Sequence, residues 1–275
     1  MTVGQDDQTD RNSETHDRDA PAREGAHPLA ETPEVVAMPA FSAEVEEKRR
    51  AARAHADAIQ ERLGEEAFLD WFDRLYADAA QDEAPERIPW ADLAPHPLLT
   101  EWLQKHAPHQ GKALEVGCGL GDNAAALSDA GYAVTAFDLS AHAVEWAKKR
   151  FPDKPIDWHV ANLLEPPQAW RGQFDIVHET YTLQSLPPGL RRQAFAPLAG
   201  FLKPGGRLLL ICRIRPEEVT PEGPPWPLAP SELAELERLG FVRETLRPVI
   251  LKSTRAIPHV FCIYRRPAAE ETEKR

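Results

Sequence analysis

From Lys112 onward, short apolar runs alternate with stretches patterned at helical spacing. KALEVG, AVTAFD, IDWHVA, FDIVHE, GRLLLIC, FVRETLRPVIL and HVFCIYR read as strands, each short, apolar and bounded by turn residues. Helical patterns fall between them at about 122–130, 140–150, 188–202 and 230–239. This alternation predicts an α/β fold: a doubly wound, Rossmann-like, seven-stranded, mostly parallel sheet. The last two runs are joined too closely for a crossover helix, so the final strand is expected to be antiparallel.

Upstream the period changes. SAEVEEKRRAARAHADAIQERL is built from strong helix formers, with Ser42 as the expected N-cap and Gly64 as a candidate stop. In EEAFLDWFDRLYADA, residues Phe68, Trp71, Phe72, Leu75 and Tyr76 recur on one helical face. The Pro-punctuated RIPWADLAPHPLL leads into a short helix around Leu98 to His106. Residues 1–40 carry no aromatic residue and no apolar period, which predicts a disordered acidic tail. The chain thus divides into that tail, a helical cap and substrate lid over 41–110, a sheet domain over 111–267 and a flexible C-terminal tail over 268–275.

Composition sharpens this picture by exclusion. A net charge of −12 disfavours a nucleic-acid partner, whose phosphates call for clustered Lys and Arg. No apolar run is long enough for a membrane span, and the polar N-terminus predicts a cytoplasmic protein. Cys118, Cys212 and Cys262 are far apart and show no metal spacing, so buried thiols and no metal are expected. The expected partner is a small molecule; oligomeric state leaves no trace in the pattern.

The chemistry is concentrated at ALEVGCGLGDN, where the first strand of the sheet breaks into Gly117, Gly119 and Gly121. Open parallel sheets bind ligands at the carboxyl ends of their strands, where the winding reverses. The second strand ends in Asp138, a carboxylate suited to the two hydroxyls of a ribose. A dinucleotide fingerprint would have its third glycine where Asp122 stands. An acid there, with Glu115 inside the strand, opposes a pyrophosphate and tolerates a ligand bearing an ammonium and a sulfonium.

Glu115, the three glycines, Asp138, FDIVHE and LKPGGRLLL together resemble the class I S-adenosylmethionine-dependent methyltransferases over roughly residues 85–265. That resemblance implies S-adenosylmethionine as cofactor, with Gly117, Cys118, Gly119 and Gly121 against its methionine and ribose. It further implies Asp138 on the ribose, Leu139, Asn162 and Leu163 around the adenine, and His178 facing the methyl end. Asn162 stands where many members have Asp, keeping an acceptor oxygen without the charge. Trp90, in a Pro-rich loop, offers a ring face to the sulfonium.

On the acceptor side, His178, Glu179 and Tyr181 cluster after the fourth strand and are the candidate catalytic residues, His178 as general base. Trp226, Arg213 and Tyr181 are the candidate substrate residues, with Arg213 and Arg215 placed to hold an acidic acceptor. The spacing of IPW and GPPWPL resembles the thiopurine and tellurite-resistance methyltransferases and their thiol or halide relatives, which implies a small, soft acceptor. A nicotinamide-dependent oxidoreductase and a non-catalytic binding protein on the same fold stay open at this point.

Overall fold

A computed structural model describes residues 32–38, 42–63, 68–106, 110–221, 223–252 and 256–268. Its strands are β1 (Glu34–Ala37), β2 (Lys112–Val116), β3 (Ala133–Asp138), β4 (Ile156–Val160), β5 (Phe174–Thr180), β6 (Leu202–Arg213), β7 (Val242–Lys252) and β8 (Ala256–Arg265). They form one sheet in the order β1-β7-β8-β6-β5-β2-β3-β4. All neighbours pair parallel except β8, which runs antiparallel to both β6 and β7.

The sheet has eight strands, one more than the pattern predicts. The addition is β1, which comes from the stretch expected to be tail and pairs with β7 from Glu34↔Val249 to Ala37↔Lys252. Its four residues are too few to produce a readable alternation. Arg247 fastens it by reaching Glu34 at 2.7 Å and Glu101 at 3.0 Å. Residues 1–31 and 39–40, the rest of the expected tail, Gly64, the expected helix stop, and 269–275 of the expected C-terminal tail lie outside the described residues.

The helices are α1 (Ala43–Leu63), α2 (Asp70–Gln81), α3 (Pro97–Lys105), α4 (Asp122–Asp129), α5 (Ala141–Arg150), α6 (Thr182–Ser185), α7 (Pro188–Phe201), α8 (Pro230–Leu233) and α9 (Glu235–Arg238). Ser42 caps α1, accepting from the Val45 amide at 3.3 Å. The apolar face read on the second helical stretch is real: Trp71, Leu75 and Tyr76 are buried, and the Trp71 indole donates to Ala56 O at 2.8 Å, tying α2 to α1. The single helix predicted at 230–239 is instead two one-turn helices.

Strand alternation puts apolar side chains on both faces of the sheet. Leu114, Val177, Leu208 and Leu210 join one core, while Ala113, Ile176, Leu209 and Ile211 join another. Covering both faces is what a parallel sheet requires. Winding reverses at β2, whose neighbours are β3 and β5. Among the described residues, no helix is long and apolar enough to cross a membrane.

Candidate functional site

Two adjoining cavities open at the carboxyl ends of the central strands. The first, about 100 Å³, is lined by Gly117 after β2, Asp138 and Leu139 at β3, Asn162 and Leu163 after β4, and Thr180 and Tyr181 at β5. Phe72 and Tyr76 of α2 roof it together with Trp90. The second, about 500 Å³, lies between α1, the Pro224–Pro225 loop and the ends of β6 and β8. Trp90, Tyr181 and Ser185 line both.

The glycine loop shapes the first cavity by close approach. Gly117 has φ 61°, and a Cβ there would lie 2.3 Å from Thr182 Oγ1. No other residue type fits that position unstrained. The Gly119 amide donates to Asp138 Oδ2 and the Ser140 amide to Oδ1, both at 2.9 Å. These bonds fix the carboxylate, while burial raises its pKa above the ordinary range. Asn162 Oδ1 accepts from the Leu164 amide at 2.9 Å, which turns the chain sharply beneath the pocket.

Several expected residues sit elsewhere. His178 is fully buried: Nδ1 lies 2.7 Å from Glu115 Oε2 and Nε2 lies 2.9 Å from Thr180 Oγ1. With both ring nitrogens engaged inside the sheet, it does not face the methyl end and is not placed to act as a base. Glu115, expected beside the cofactor, is the buried partner of that ring and lines neither cavity. Glu179 is also fully buried; it accepts from the Leu183 amide at 2.9 Å and lines neither cavity, and burial drives its pKa up to about 7.

Cys118 is packed into the core, its amide spent on Phe137 O and its thiol pKa pushed up by burial. Gly121 faces away from the cleft: a Cβ there would meet Trp158 at 2.7 Å and Ala147 at 3.1 Å, so this glycine serves helix-to-sheet packing. Gly119 acts through Asp138 and is not itself a wall of the cavity. Asp122 is neutralised by a bidentate pair with Arg150, at 2.6 and 2.8 Å, and projects no charge toward a ligand. Trp226 packs on Phe68 with ring centroids 5.6 Å apart and lines neither cavity; it anchors its loop. Arg215 is spent on Pro227 O and Glu232.

The remaining expectations converge. Gly117, Asp138, Leu139, Asn162, Leu163 and Trp90 share the first cavity, Arg213 lies in the second, and Tyr181 belongs to both. Tyr181 holds φ 70°, a strained conformation for a bulky residue that places its ring at the junction.

Phe72, Tyr76, His96 and His259 are among the contributors that escaped the sequence reading. Phe72 and Tyr76 looked like ordinary core positions of an amphipathic helix. His96 and His259 have no motif around them. His259 reaches the site because it pairs in register with Arg213, and His96 because its Nε2 lies 3.1 Å from Tyr181 Oη.

The residues present suit S-adenosylmethionine. A fixed buried carboxylate matches ribose hydroxyls, Leu139 and Leu163 offer apolar faces to a flat base, and Tyr76, Phe72 and Trp90 present rings to a sulfonium. Fold and site together are similar to those of the class I S-adenosylmethionine-dependent methyltransferases. Residues 113–206 match the model of a family described as a methyltransferase domain.

Probable thiol methyltransferase 2 of Arabidopsis thaliana is 29% identical over 156 residues, 56% of this chain and 68% of that protein. The ubiquinone biosynthesis O-methyltransferase of Thiobacillus denitrificans is 32% identical over 114 residues, 40% of this chain; the match spans about half (48%) of that relative. The solved structure of Burkholderia thailandensis 1,6-didemethyltoxoflavin-N1-methyltransferase, with 1,6-didemethyltoxoflavin and S-adenosylhomocysteine bound, is similar at TM-score 0.56 and 20% identity. That similarity covers 70% of this chain and 85% of the other. The three names print a thiol, an O- and an N-methyltransferase, so likeness to them does not select an acceptor atom.

Proposed function

We propose that this chain transfers the methyl group of S-adenosylmethionine to a small-molecule nucleophile, a thiol or another soft acceptor. The observation that carries this reading is the pair of cavities sharing Trp90, Tyr181 and Ser185. One has the furniture of an adenosine site, and the other opens beside it where an acceptor must stand. When bound, S-adenosylmethionine supplies a methyl group activated by a positive sulfur.

The protein's own work is positional. Asp138 holds the ribose end, Leu139, Asn162 and Leu163 hold the base, and the roof of Phe72, Tyr76 and Trp90 keeps water away. Tyr181 stands where donor and acceptor meet and orients the incoming atom. Burial brings His96 down to about pKa 3 and His259 to about 4, so neither is a strong base near neutral pH. A thiol needs little basic help, which suits a site without a strong base.

Calorimetry and methyl-transfer assays over a thiol panel test the reading. The intact protein should bind S-adenosylmethionine, and Asp138→Ala should weaken that binding at least about tenfold. An unchanged affinity in the variant, or no binding by the intact protein, would overturn it.

A further inference from the structure

The second cavity is rich in hydrogen-bond donors at the end nearest the first. Arg213 lines it, and among the described residues its guanidinium has no hydrogen-bond or ion-pair partner; Nε is buried and unsatisfied. Asp92, an acid whose field reaches Arg213, is already paired with Arg49 at 2.9 Å. A half-buried cation without a counter-ion is still costly, and proteins seldom keep one without a use for it.

Tyr181 contributes a second donor through a chain of constraints. His96 Nδ1 accepts from the Leu98 amide at 3.3 Å, so the proton of this neutral ring sits on Nε2 and is donated to Tyr181 Oη at 3.1 Å. The phenol oxygen has then accepted, and its own hydrogen has no acceptor among the described residues. Gln184 spends its carbonyl oxygen on the Arg213 amide at 2.6 Å, which leaves its amide nitrogen as a third donor on the same wall.

We infer that the second cavity receives a small organic acceptor bearing an anionic group, seated on Arg213 and bonded by the Tyr181 hydroxyl and the Gln184 amide. The surrounding charge agrees: Arg49, Arg50, Arg53 and Arg213 line the cavity against Glu46, Asp57 and Asp92, in a chain whose net charge is −12. At about 500 Å³ the space is that of an organic ligand and not of a bare inorganic ion.

His259 gives the site its polarity. Its Nδ1 donates to Ile257 O at 2.8 Å, so the unpartnered Nε2 is an acceptor, beside Arg213 in the β6–β8 register. It suits an S–H, O–H or N–H on the same molecule.

This inference rests on the methyltransferase reading, and the experiment separates the two. Binding of S-adenosylhomocysteine is measured first; its absence overturns the underlying reading. Protein saturated with S-adenosylhomocysteine is then titrated with 4-mercaptobenzoate and with its methyl ester. The acid should bind at least about tenfold more tightly than the ester. Arg213→Gln should abolish that preference by weakening the acid alone, and Arg213→Lys should keep part of it, because charge survives while the planar fork is lost. Equal affinity for acid and ester, binding of neither, or a Gln variant that folds and keeps the preference would each overturn the anionic acceptor while leaving the methyltransferase reading in place.

Discussion

Glu179 shows what a buried acid does to a molecule that works near neutral pH. Its pKa in the fold, about 7, lies above the ordinary 4.5, and burial is the main cause. Its neutral form is the one the fold prefers, so its contribution to stability is full below about 4.5 and is lost as pH rises through 7. Glu179→Gln keeps the shape and the bond from Leu183 without the charge. Its unfolding free energy should exceed the parent's at pH 8.5 by on the order of 3 kcal/mol at most, and differ little at pH 5, as denaturant melts at the two pH values would read. Equal differences at the two pH values would refute the assignment. The neighbouring misplacement of His178 has a related physical cause. The apolar run FDIVHE ends two residues after Ile176–Val177, but β5 continues to Thr180. His178 therefore lies inside the sheet, and Tyr181 is the first residue beyond it. Asp138, Asn162 and Leu163 were legible because their strands do end where the apolar runs end.

Among the elements, α2 matters most for binding, and that role was hidden in the sequence. Its apolar face reads as core, yet Phe72 and Tyr76 also close the adenosine cleft. At about 100 Å³ that cleft is smaller than the several hundred Å³ typical of ligand sites, so the roof must yield when a nucleoside enters. Trp71 and Trp90 lie 5.6 Å apart by ring centroid, and both contact Phe72. Saturation with S-adenosylhomocysteine should change the tryptophan emission, and Trp90→Phe should remove most of that change. A variant with the full signal would show that the roof does not move. The glycine loop and central strands, by contrast, follow directly from a pattern of apolar runs and turn residues. β1 does not, since four paired residues carry no period of their own and their place is set by the edge of β7 they complete.

At the scale of the whole molecule, β1 joins two properties of the chain. It shields the β7 edge, and it leads to Met38, whose amide donates to Lys252 O at 3.0 Å and whose side lines the second cavity. Removing residues up to Pro39 should leave S-adenosylmethionine affinity within about twofold, since no cofactor-site wall is lost. The uncovered edge should then promote association visible by light scattering, because an exposed edge strand is a template for pairing. A monodisperse, equally stable truncation would contradict that role. The wall that the two cavities share has a different consequence. Because Trp90, Tyr181 and Ser185 border both chambers, one molecule can occupy them together: an adenosine joined by a short spacer to a carboxylate. Tethering turns the second contact into an intramolecular one, and affinity rises without any new interaction. Adenosine sites are common currency among methyltransferases, so the arm that reaches Arg213 is where selectivity for this chain would reside.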